Sequence, residues 1–167
     1  TWMKYREALD ELVARHPTIF GEQPGVKRDY DGMAQGLYSE GEHVDEWGCV
    51  WHNIEAGLDS IVTVHPVPTR EGVRSLKAPE PTPGFAHGFM YLRLQNLRGF
   101  EELMVDFAEE PPELQMLIDI VLEHNMQKLE LTLREMTPPG LIGFGDDLGM
   151  QRGLPMGPAK WRKYLKP

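Results

Sequence analysis

The sequence GLIGFGDDLGMQRGLPMGPAKWRKYLKP, residues 140–167, is the stretch that decides the fold prediction for this chain. Its first part, residues 140–145, is a short apolar run between turn residues, which is typical of a strand buried on both faces. The acids Asp146 and Asp147 follow at once. Residues 158–165 then combine an early proline with apolar residues at helical spacing. A buried strand, an acidic loop and a helix in this order predict the catalytic rim of a parallel α/β sheet or barrel.

The same residues allow a plainer interpretation. Aspartate and glycine are common turn formers, so the loop that begins at Asp146 could be a solvated connection between a strand and a helix. A nucleotide site is a third interpretation, prompted by the glycines at 143, 145 and 149. Their spacing differs from the dinucleotide fingerprint, and two carboxylates would repel a pyrophosphate held by backbone amides. The nucleotide interpretation is therefore rejected, and the first two stay open.

Length and charge limit the functional classes. With 167 residues the chain can form one domain with a sizeable core. Its formal net charge of −9 argues against a nucleic-acid or anionic-membrane partner, because either would call for a basic face. No apolar run approaches the roughly 20 residues of a membrane span.

Cysteine content and the N-terminus bear on location. The single cysteine, Cys49, excludes an internal disulfide and favours a reducing, cytoplasmic environment. No basic segment followed by an apolar one is present, so we expect no signal peptide. Because the chain begins at Thr1 rather than Met, we expect that an initiating segment has been lost or left out.

Residues 1–83 are predicted to form an N-terminal extension. Residues 2–14 have the pattern of an amphipathic helix, which His16-Pro17 should end. Residues 18–43 lack clear periodicity and are interpreted as loop, with one short strand around residues 36–38.

A β-hairpin is predicted next. Residues 45–54 and 58–64 are rich in β-formers, and Glu55-Ala56-Gly57 can turn the chain between them. One or two helical turns are expected in residues 69–76. Residues 77–84, KAPEPTPG, contain three prolines and are a linker by composition.

The following part is predicted to be mainly helical. Residues 85–107 indicate a helix that Gly99 interrupts, which favours either two helices meeting there or a close packing contact. Pro111-Pro112 predicts the start of a long helix, which residues 137–140 should end. Its buried face is predicted from an apolar stripe: Leu114, Leu117, Ile118, Val121, Leu122, Leu129 and Leu133.

The histidines and the cysteine give only a weak metal pattern. The closest cluster is His43, Asp45, Cys49 and His52, whose spacing is not a usual zinc spacing. Cys49 and His52 are an odd number of residues apart, so on a strand they would point to opposite faces. We therefore assign no metal ligand and expect the chain alone to bind no zinc. His87 is a better pocket candidate, although a capping or packing role is commoner for such a residue.

Several motifs resemble the uroporphyrinogen decarboxylase superfamily. They are Asp45-Glu-Trp-Gly-Cys-Val-Trp51, Leu97-Arg-Gly-Phe-Glu-Glu-Leu-Met-Val-Asp106, Glu110-Pro, and above all Gly145-Asp-Asp-Leu-Gly-Met-Gln-Arg-Gly-Leu154, followed by Pro158-x-x-Trp161 and Lys166-Pro167. The resemblance covers roughly the whole chain, and the last motif is the most specific. It implies an α/β fold, a (β/α)8 barrel whose site lies at the C-terminal rim of the strands. Residues 84–167 would be the first part of that barrel.

The resemblance also implies a choice of chemistries. The superfamily includes the haem-pathway decarboxylase, which needs no cofactor, and zinc-dependent methyltransferases that move methyl groups between corrinoid proteins and thiols. The zinc-binding histidine and cysteine residues of that second branch lie in the other half of the family pattern, so none is carried over here. A barrel needs about 250 residues, and residues 77–84 are shorter than an early barrel strand would require. The chain therefore resembles the first half of a member, with room for a missing internal stretch.

Within the superfamily, the sequence favours the methyltransferase-related and uncharacterised branch. The decarboxylase branch has an Arg-bearing motif near its N-terminus that grips substrate carboxylates, and no such motif is found here. Where that branch has a substrate-binding serine, this chain has Asp146. Placing an octacarboxylate beside an unpaired aspartate would cost several kcal/mol. Uroporphyrinogen decarboxylase stays the alternative.

The predicted site follows from the resemblance. Asp146 and Asp147 are the predicted catalytic residues, which would bind a substrate or orient a metal ligand from the missing half. The predicted substrate-binding residues are His87, Tyr91, Gly145, Gly149 and Gln151. The expected substrate is a corrinoid or a related tetrapyrrole, with a corrinoid protein as a further partner and zinc only in the complete enzyme.

A non-catalytic interpretation also stays open. A half-barrel would expose its apolar interior and unpaired strand edges, so it would self-associate or bind a complementary half. The intact mass of the purified protein distinguishes a complete gene product from part of a longer chain.

Overall fold

The computed structural model describes residues 2–21, 27–32, 38–85, 87–137, 140 and 142–166. The elements in chain order are α1 (Trp2–Arg15), α2 (Pro17–Phe20), β1 (Gly41–Val44), β2 (Val50–Asn53), β3 (Ile61–Val64), α3 (Arg70–Val73), α4 (Tyr91–Arg98), α5 (Phe100–Glu109), α6 (Pro112–Glu135) and α7 (Gly157–Tyr164). The chain divides into two compact units, Thr1–Asp45 with Val50–Val64 and Glu46–Cys49 with His65–Pro167. No helix in the described part of the chain has both the length and the apolar character that crossing a bilayer requires.

The first unit contains a three-stranded antiparallel sheet in the order β1-β2-β3. Strands β2 and β3 form the hairpin that the sequence predicted. Asn53 holds the turn between them, because its amide nitrogen donates to the Leu58 carbonyl at 2.7 Å and its side-chain oxygen accepts from the Glu55 N–H at 3.1 Å. Asn53 is buried, and these two bonds satisfy its polar atoms inside the unit.

Strand β1 lies where the sequence predicted a loop, at the end of residues 18–43. It pairs with β2 in a register that places His43 opposite Trp51. A four-residue strand is too short to reveal an alternating pattern, and pairing with β2 forms it rather than local preference. The loop prediction was therefore wrong here. The strand expected around residues 36–38 falls mainly on 33–37, which lie outside the described residues.

Helix α1 confirms the predicted N-terminal helix, with a kink at Arg6, where φ is +41°. Asp10 on this helix accepts hydrogen bonds from Arg28 Nε at 2.9 Å and from the Tyr30 hydroxyl. The bond to Asp10 raises the pKa of Tyr30 to about 12. Helix α2 begins at Pro17, the residue expected only to end α1, because proline also suits a first helical turn.

In the second unit, α4 and α5 meet at Gly99, as the sequence predicted. Gly99 has φ +88° and ψ 146°, a conformation that residues with a side chain rarely adopt. A Cβ atom there would also lie 3.2 Å from the ring of His65. The change of direction at Gly99 lets both α4 and α5 pack on α6.

A buried ion cluster fixes the C-terminal end of α4. The side chains of Arg98 and Asp106 are each 3% exposed, and Arg98 Nε donates to Asp106 Oδ2 at 2.8 Å. The other guanidinium nitrogens of Arg98 donate to the Pro68 carbonyl at 2.6 Å and to Glu102 at 3.1 Å. Arg70 Nε donates to the second oxygen of Asp106 at 2.7 Å. Since each buried charge is bonded on more than one side, the cluster ties α4, α5 and the segment before α3 together.

Helix α6 starts at the predicted proline pair, and its first half is buried as predicted. The buried positions are Leu114, Leu117, Ile118, Val121, His124 and Asn125. The predicted burial of Leu122 and Leu133 was wrong, because these side chains are 47% and 51% exposed. They lie roughly 90° around the helix from the centre of the covered face. The apolar stripe is therefore wider than the surface that α4 and α5 cover.

The C-terminal segment differs from its prediction. Residues 142–149 contain no strand, and Phe144 and Gly143 are exposed, so the expectation of a buried strand over 140–145 was wrong for the part that is described. A strand needs neighbouring strands to form hydrogen bonds with its backbone N–H and C=O groups, and an apolar run alone does not supply such neighbours. The predicted helix at 158–165 is confirmed as α7.

The described residues form helices and one small antiparallel sheet, and no parallel strand pair occurs among them. The (β/α)8 barrel stays a prediction. So does its boundary between residues 83 and 84. The compact units divide the chain earlier, after Val64, and include residues 46–49 in the second unit.

Candidate functional site

Two segments of the second unit carry most of the predicted site, and they are bonded to each other. In the turn before α4, the Gly88 N–H donates to the Gly145 carbonyl at 2.8 Å. The ring of His87 lies so close that a Cβ atom on Gly145 would be 2.6 Å from its Nδ1. A side chain at Gly145 would therefore displace the ring of His87.

Asp146 binds the N-terminus of helix α4. Its carboxylate accepts hydrogen bonds from the Tyr91 N–H and, at 3.0 Å, from the Leu92 N–H. The residue at the usual capping position, Met90, makes no side-chain capping bond. A carboxylate that receives two first-turn amides is stabilised by them and by the helix dipole. Asp146 thus caps α4 from a separate segment of the chain.

Tyr91 lies directly behind this carboxylate. Its side chain is buried, and burial first, then the negative charge of Asp146, raises the pKa of its hydroxyl. The phenol therefore stays protonated at neutral pH and is a hydrogen-bond donor.

Asp147 has a different environment from its neighbour. Its Oδ1 lies 3.3 Å from His87 Nε2, and both side chains are largely exposed. An exposed pair of this kind contributes little to stability, since water screens it. Both groups are accessible to solvent and to a ligand.

Three phenylalanines join the two segments. The ring of Phe144 lies 4.8 Å from that of Phe85 and 5.2 Å from that of Phe89, measured between centroids. Asn125 on α6 fixes the backbone beneath them, because its amide nitrogen donates to the Phe89 carbonyl at 2.9 Å. Aromatic contacts and one buried amide therefore position this wall.

A groove of about 820 Å³ opens beside these phenylalanines. Its apolar lining has three parts. Helix α6 contributes Ile118, Leu122, Met126 and Leu129. Helix α7 and the residue after it contribute Trp161, Tyr164 and Leu165, and the two segments contribute Phe85, Phe89, Met90, Phe144 and Leu148. Its polar lining comes from Tyr91, Gln115, Asn125, Asp146, Lys163 and Lys166. A mostly apolar groove of this size with a few polar groups is typical of a small-molecule site.

Helix α7 is held to the end of α5 by Glu110. Its Oε1 accepts from Lys163 Nζ at 2.8 Å and from Lys160 Nζ at 2.9 Å. The bonds from Lys163 and Lys160 hold the pKa of Glu110 down at about 2. Tyr164 adds an edge contact to Phe107, with ring centroids 5.8 Å apart. One wall of the groove therefore depends on this ion pair and this ring contact.

The structure brings together part of the predicted site. The residues that meet around the Gly88–Gly145 bond are His87, Tyr91, Gly145, Asp146 and Asp147. Gly149 and Gln151 are exposed and do not line the groove.

Sequence reasoning missed the apolar wall that α6 and α7 provide. Leu122 was predicted to be buried in the core, and Met126 was not considered. A signal was present, because the apolar stripe of α6 spans more of the helix than one packing face usually needs. Asn125 carried no such signal, since its role depends on a backbone carbonyl 36 residues away in the chain.

The weak metal cluster gains no support. His43 faces Trp51 across the sheet, and His52 pairs with Glu42, so the two histidines are not opposite each other. The Cys49 thiol is buried and donates to the Asn96 carbonyl at 3.4 Å. Over the residues whose positions are described, no group of three or more His, Cys, Asp or Glu side chains could hold a metal ion.

Comparison of the chain with protein-family models, with curated proteins and with solved structures found no match.

Proposed function

We propose that the chain belongs to the uroporphyrinogen decarboxylase superfamily and provides the substrate groove of a methyltransferase-like enzyme. The reaction is methyl transfer from a corrinoid to a thiol or a related acceptor. The proposal combines the sequence resemblance with the groove beside Asp146.

The single observation that carries it is the apolar lining of that groove next to the most specific motif. Gly145 and Asp146 of this motif line a groove of about 820 Å³. Most of its other lining residues are aliphatic or aromatic. A methyl group carries no charge, and a thiolate reacts faster when water is kept from it. An apolar groove therefore fits methyl transfer better than it fits the binding of many carboxylates.

Asp146 has a positioning role in this proposal. Both of its oxygens are already used by the amides of Tyr91 and Leu92. It holds the start of α4, and with it Tyr91, at the groove, whereas the sequence predicted that it would bind a substrate or orient a metal ligand. Tyr91 lines the groove and can exchange hydrogen bonds with a ligand there, whereas the exposed pair of His87 and Asp147 is not part of the groove lining.

Zinc supplies Lewis-acid activation of a thiol in the methyltransferase branch. The described residues do not offer a donor set that fits this ion, since no three suitable side chains come together among them. No step of the proposed reaction is therefore assigned to zinc bound by this chain.

Uroporphyrinogen decarboxylation is the second candidate, and one observation favours it. The sequence argument against it assumed an unpaired Asp146, but two backbone amides and the α4 dipole compensate that charge. Lys163 and Lys166 also line the groove and are suited to substrate carboxylates. Charge at Asp146 alone does not separate the two reactions.

The deciding experiment is a paired assay on the purified protein that contains this chain. Methylcobalamin with a thiol acceptor is supplied in one reaction, and uroporphyrinogen III in the other. We expect demethylation of the cobalamin and formation of the thioether at a catalytic rate. Coproporphyrinogen formation without cobalamin demethylation would replace the proposal with the decarboxylase. Absence of both reactions would contradict the two enzymatic functions.

A further inference from the structure

A second groove runs along the first half of helix α6, on a different face of the helix from the groove beside Asp146. It has a volume of about 620 Å³, and its apolar lining combines residues of α6 with the segment that follows α3. These apolar residues are Leu76, Ala78, Pro112, Met116 and Ile120. Gln115 is the one residue that lines both grooves.

The segment that carries Leu76 is anchored to the unit just before it reaches the groove. Val73 is 1% exposed, and Arg74 donates to Glu113 on α6 at 2.6 Å. On the α6 side, Met116 is 40% exposed. The groove therefore has a fixed wall and an apolar surface that solvent reaches.

The charges that line this groove are negative. Asp119 and Glu123 lie one turn apart on α6, and the lining, among the described residues, contains no lysine or arginine. Asp119 accepts one amide hydrogen bond from Gln115 at 2.8 Å, and Glu123 accepts one from Gln127 at 2.9 Å. No described cation forms an ion pair with either carboxylate. Two uncompensated carboxylates beside apolar surface complement a partner that brings both cationic and apolar side chains.

The length of the groove indicates the shape of that partner. Its α6 lining extends from Pro112 to Gln127, which is about 22 Å along the helix axis. A second helix of about 15 residues has the same length. Apolar residues one turn apart, with acids beside them, match a helix that has an apolar face and cations at the edge of that face.

We propose that this groove binds an amphipathic helix of a partner protein, with lysine or arginine at the edges of its apolar face. The apolar side chains of that helix cover Leu76, Met116 and Ile120, and its cations pair with Asp119 and Glu123. The inference goes beyond the proposed methyl transfer and does not depend on it, because it concerns another face of α6.

Fluorescence polarisation of a labelled, capped peptide tests the proposal with the whole chain. The probe is a helix of about 15 residues with leucine on one face and lysine at its edges. A matched probe has glutamate in place of each lysine. We expect saturable one-to-one binding of the lysine probe, and binding of the glutamate probe that is at least about tenfold weaker.

Matched variants of exposed α6 residues locate the bound probe. Met116→Gln should weaken binding about tenfold, because a polar group replaces apolar surface that the probe covers. Met126→Gln makes the same change in the groove beside Asp146 and should leave binding unchanged. Glu123→Gln should weaken binding about threefold or more. Glu135→Gln removes the same charge from the same helix outside this groove and should preserve binding.

The proposal is overturned if the lysine probe does not bind saturably or if the glutamate probe binds as tightly. Equal losses in Glu123→Gln and Glu135→Gln would reduce the interaction to attraction by overall charge. A loss confined to Met126→Gln would place the probe in the groove beside Asp146. Sedimentation of the chain alone gives the remaining outcome: association that Met116→Gln abolishes would make a second copy of the chain the occupant, which also overturns the proposal.

Discussion

The two ends of helix α4 are held by different kinds of carboxylate contact. At the C-terminal end, the buried carboxylate of Asp106 forms ion pairs with Arg98 and Arg70. At the N-terminal end, Asp146 is half-buried and bonded to two backbone amides. Asp106 is surrounded by helices, whereas Asp146 belongs to a segment without regular structure beside the groove.

The two contacts therefore have different roles: the Asp106 ion cluster stabilises the fold of the second unit, and the Asp146 cap positions residues at the groove. Removing a partner from a buried ion pair leaves an uncompensated charge inside the protein. Removing a cap exposes amides that water can reach and satisfy. The fold should therefore depend strongly on Asp106, while the position of Tyr91 at the groove should depend on Asp146.

The largest effect is expected from Asp106→Asn, which leaves the shape but removes the charge between two arginines. Unfolding by urea should show a loss of about 3–5 kcal/mol, because Arg98 stays buried without its anion. The matched control is Glu102→Gln, which removes the exposed partner of the same arginine and should cost less than about 1 kcal/mol. Equal losses in the two variants would show that burial does not distinguish the contacts.

Replacing Asp146 by alanine should have a smaller effect. Loss of both capping bonds at α4 is expected to cost about 1–2 kcal/mol. Asp147→Ala removes the neighbouring carboxylate and should stay within about 0.5 kcal/mol, because its contact with His87 is exposed. A larger loss for Asp147→Ala than for Asp146→Ala would reverse the assigned roles.

Local sequence signals predicted much of this framework. Pro112, Gly99 and Pro158 mark helix boundaries because proline and glycine act on their own backbone, and the structure confirms those boundaries within a residue. The hairpin was predicted because its turn and both strands are close in sequence.

The failures have a common physical cause, which is dependence on distant partners. The expected strand over 140–145 lacks neighbouring strands to pair with in the described structure. Leu122 and Leu133 match the helical period but lie beyond the face that other helices cover. The Asp146 cap joins residues 55 positions apart in the chain, which no local pattern reveals. The motif drew attention to Asp146 but did not predict the two amide bonds that it accepts.

A still smaller effect should appear at low pH, at the ion pair that holds α7. The folded-state pKa of Glu110 is about 2, below its ordinary value of 4.5, because Lys163 and Lys160 bond to it. The stabilisation is therefore fully present above pH 4.5 and is lost as the pH falls toward 2. Stability measured over this window should fall more in the unaltered chain than in Glu110→Gln. If the stability of the two proteins falls equally over this pH range, the ion pairs of Glu110 do not stabilise the folded chain.

The most direct test of the proposed groove uses two leucines of helix α6. Leu122 lines the groove and Leu133 does not, yet both are about half exposed, at 47% and 51%. Replacing either by glutamate therefore adds the same charge to the same helix at similar cost. Equilibrium dialysis of the chain against methylcobalamin should show binding that Leu122→Glu weakens at least about tenfold and that Leu133→Glu preserves. Unchanged binding in Leu122→Glu, or equal losses in both variants, would contradict a substrate site in the groove.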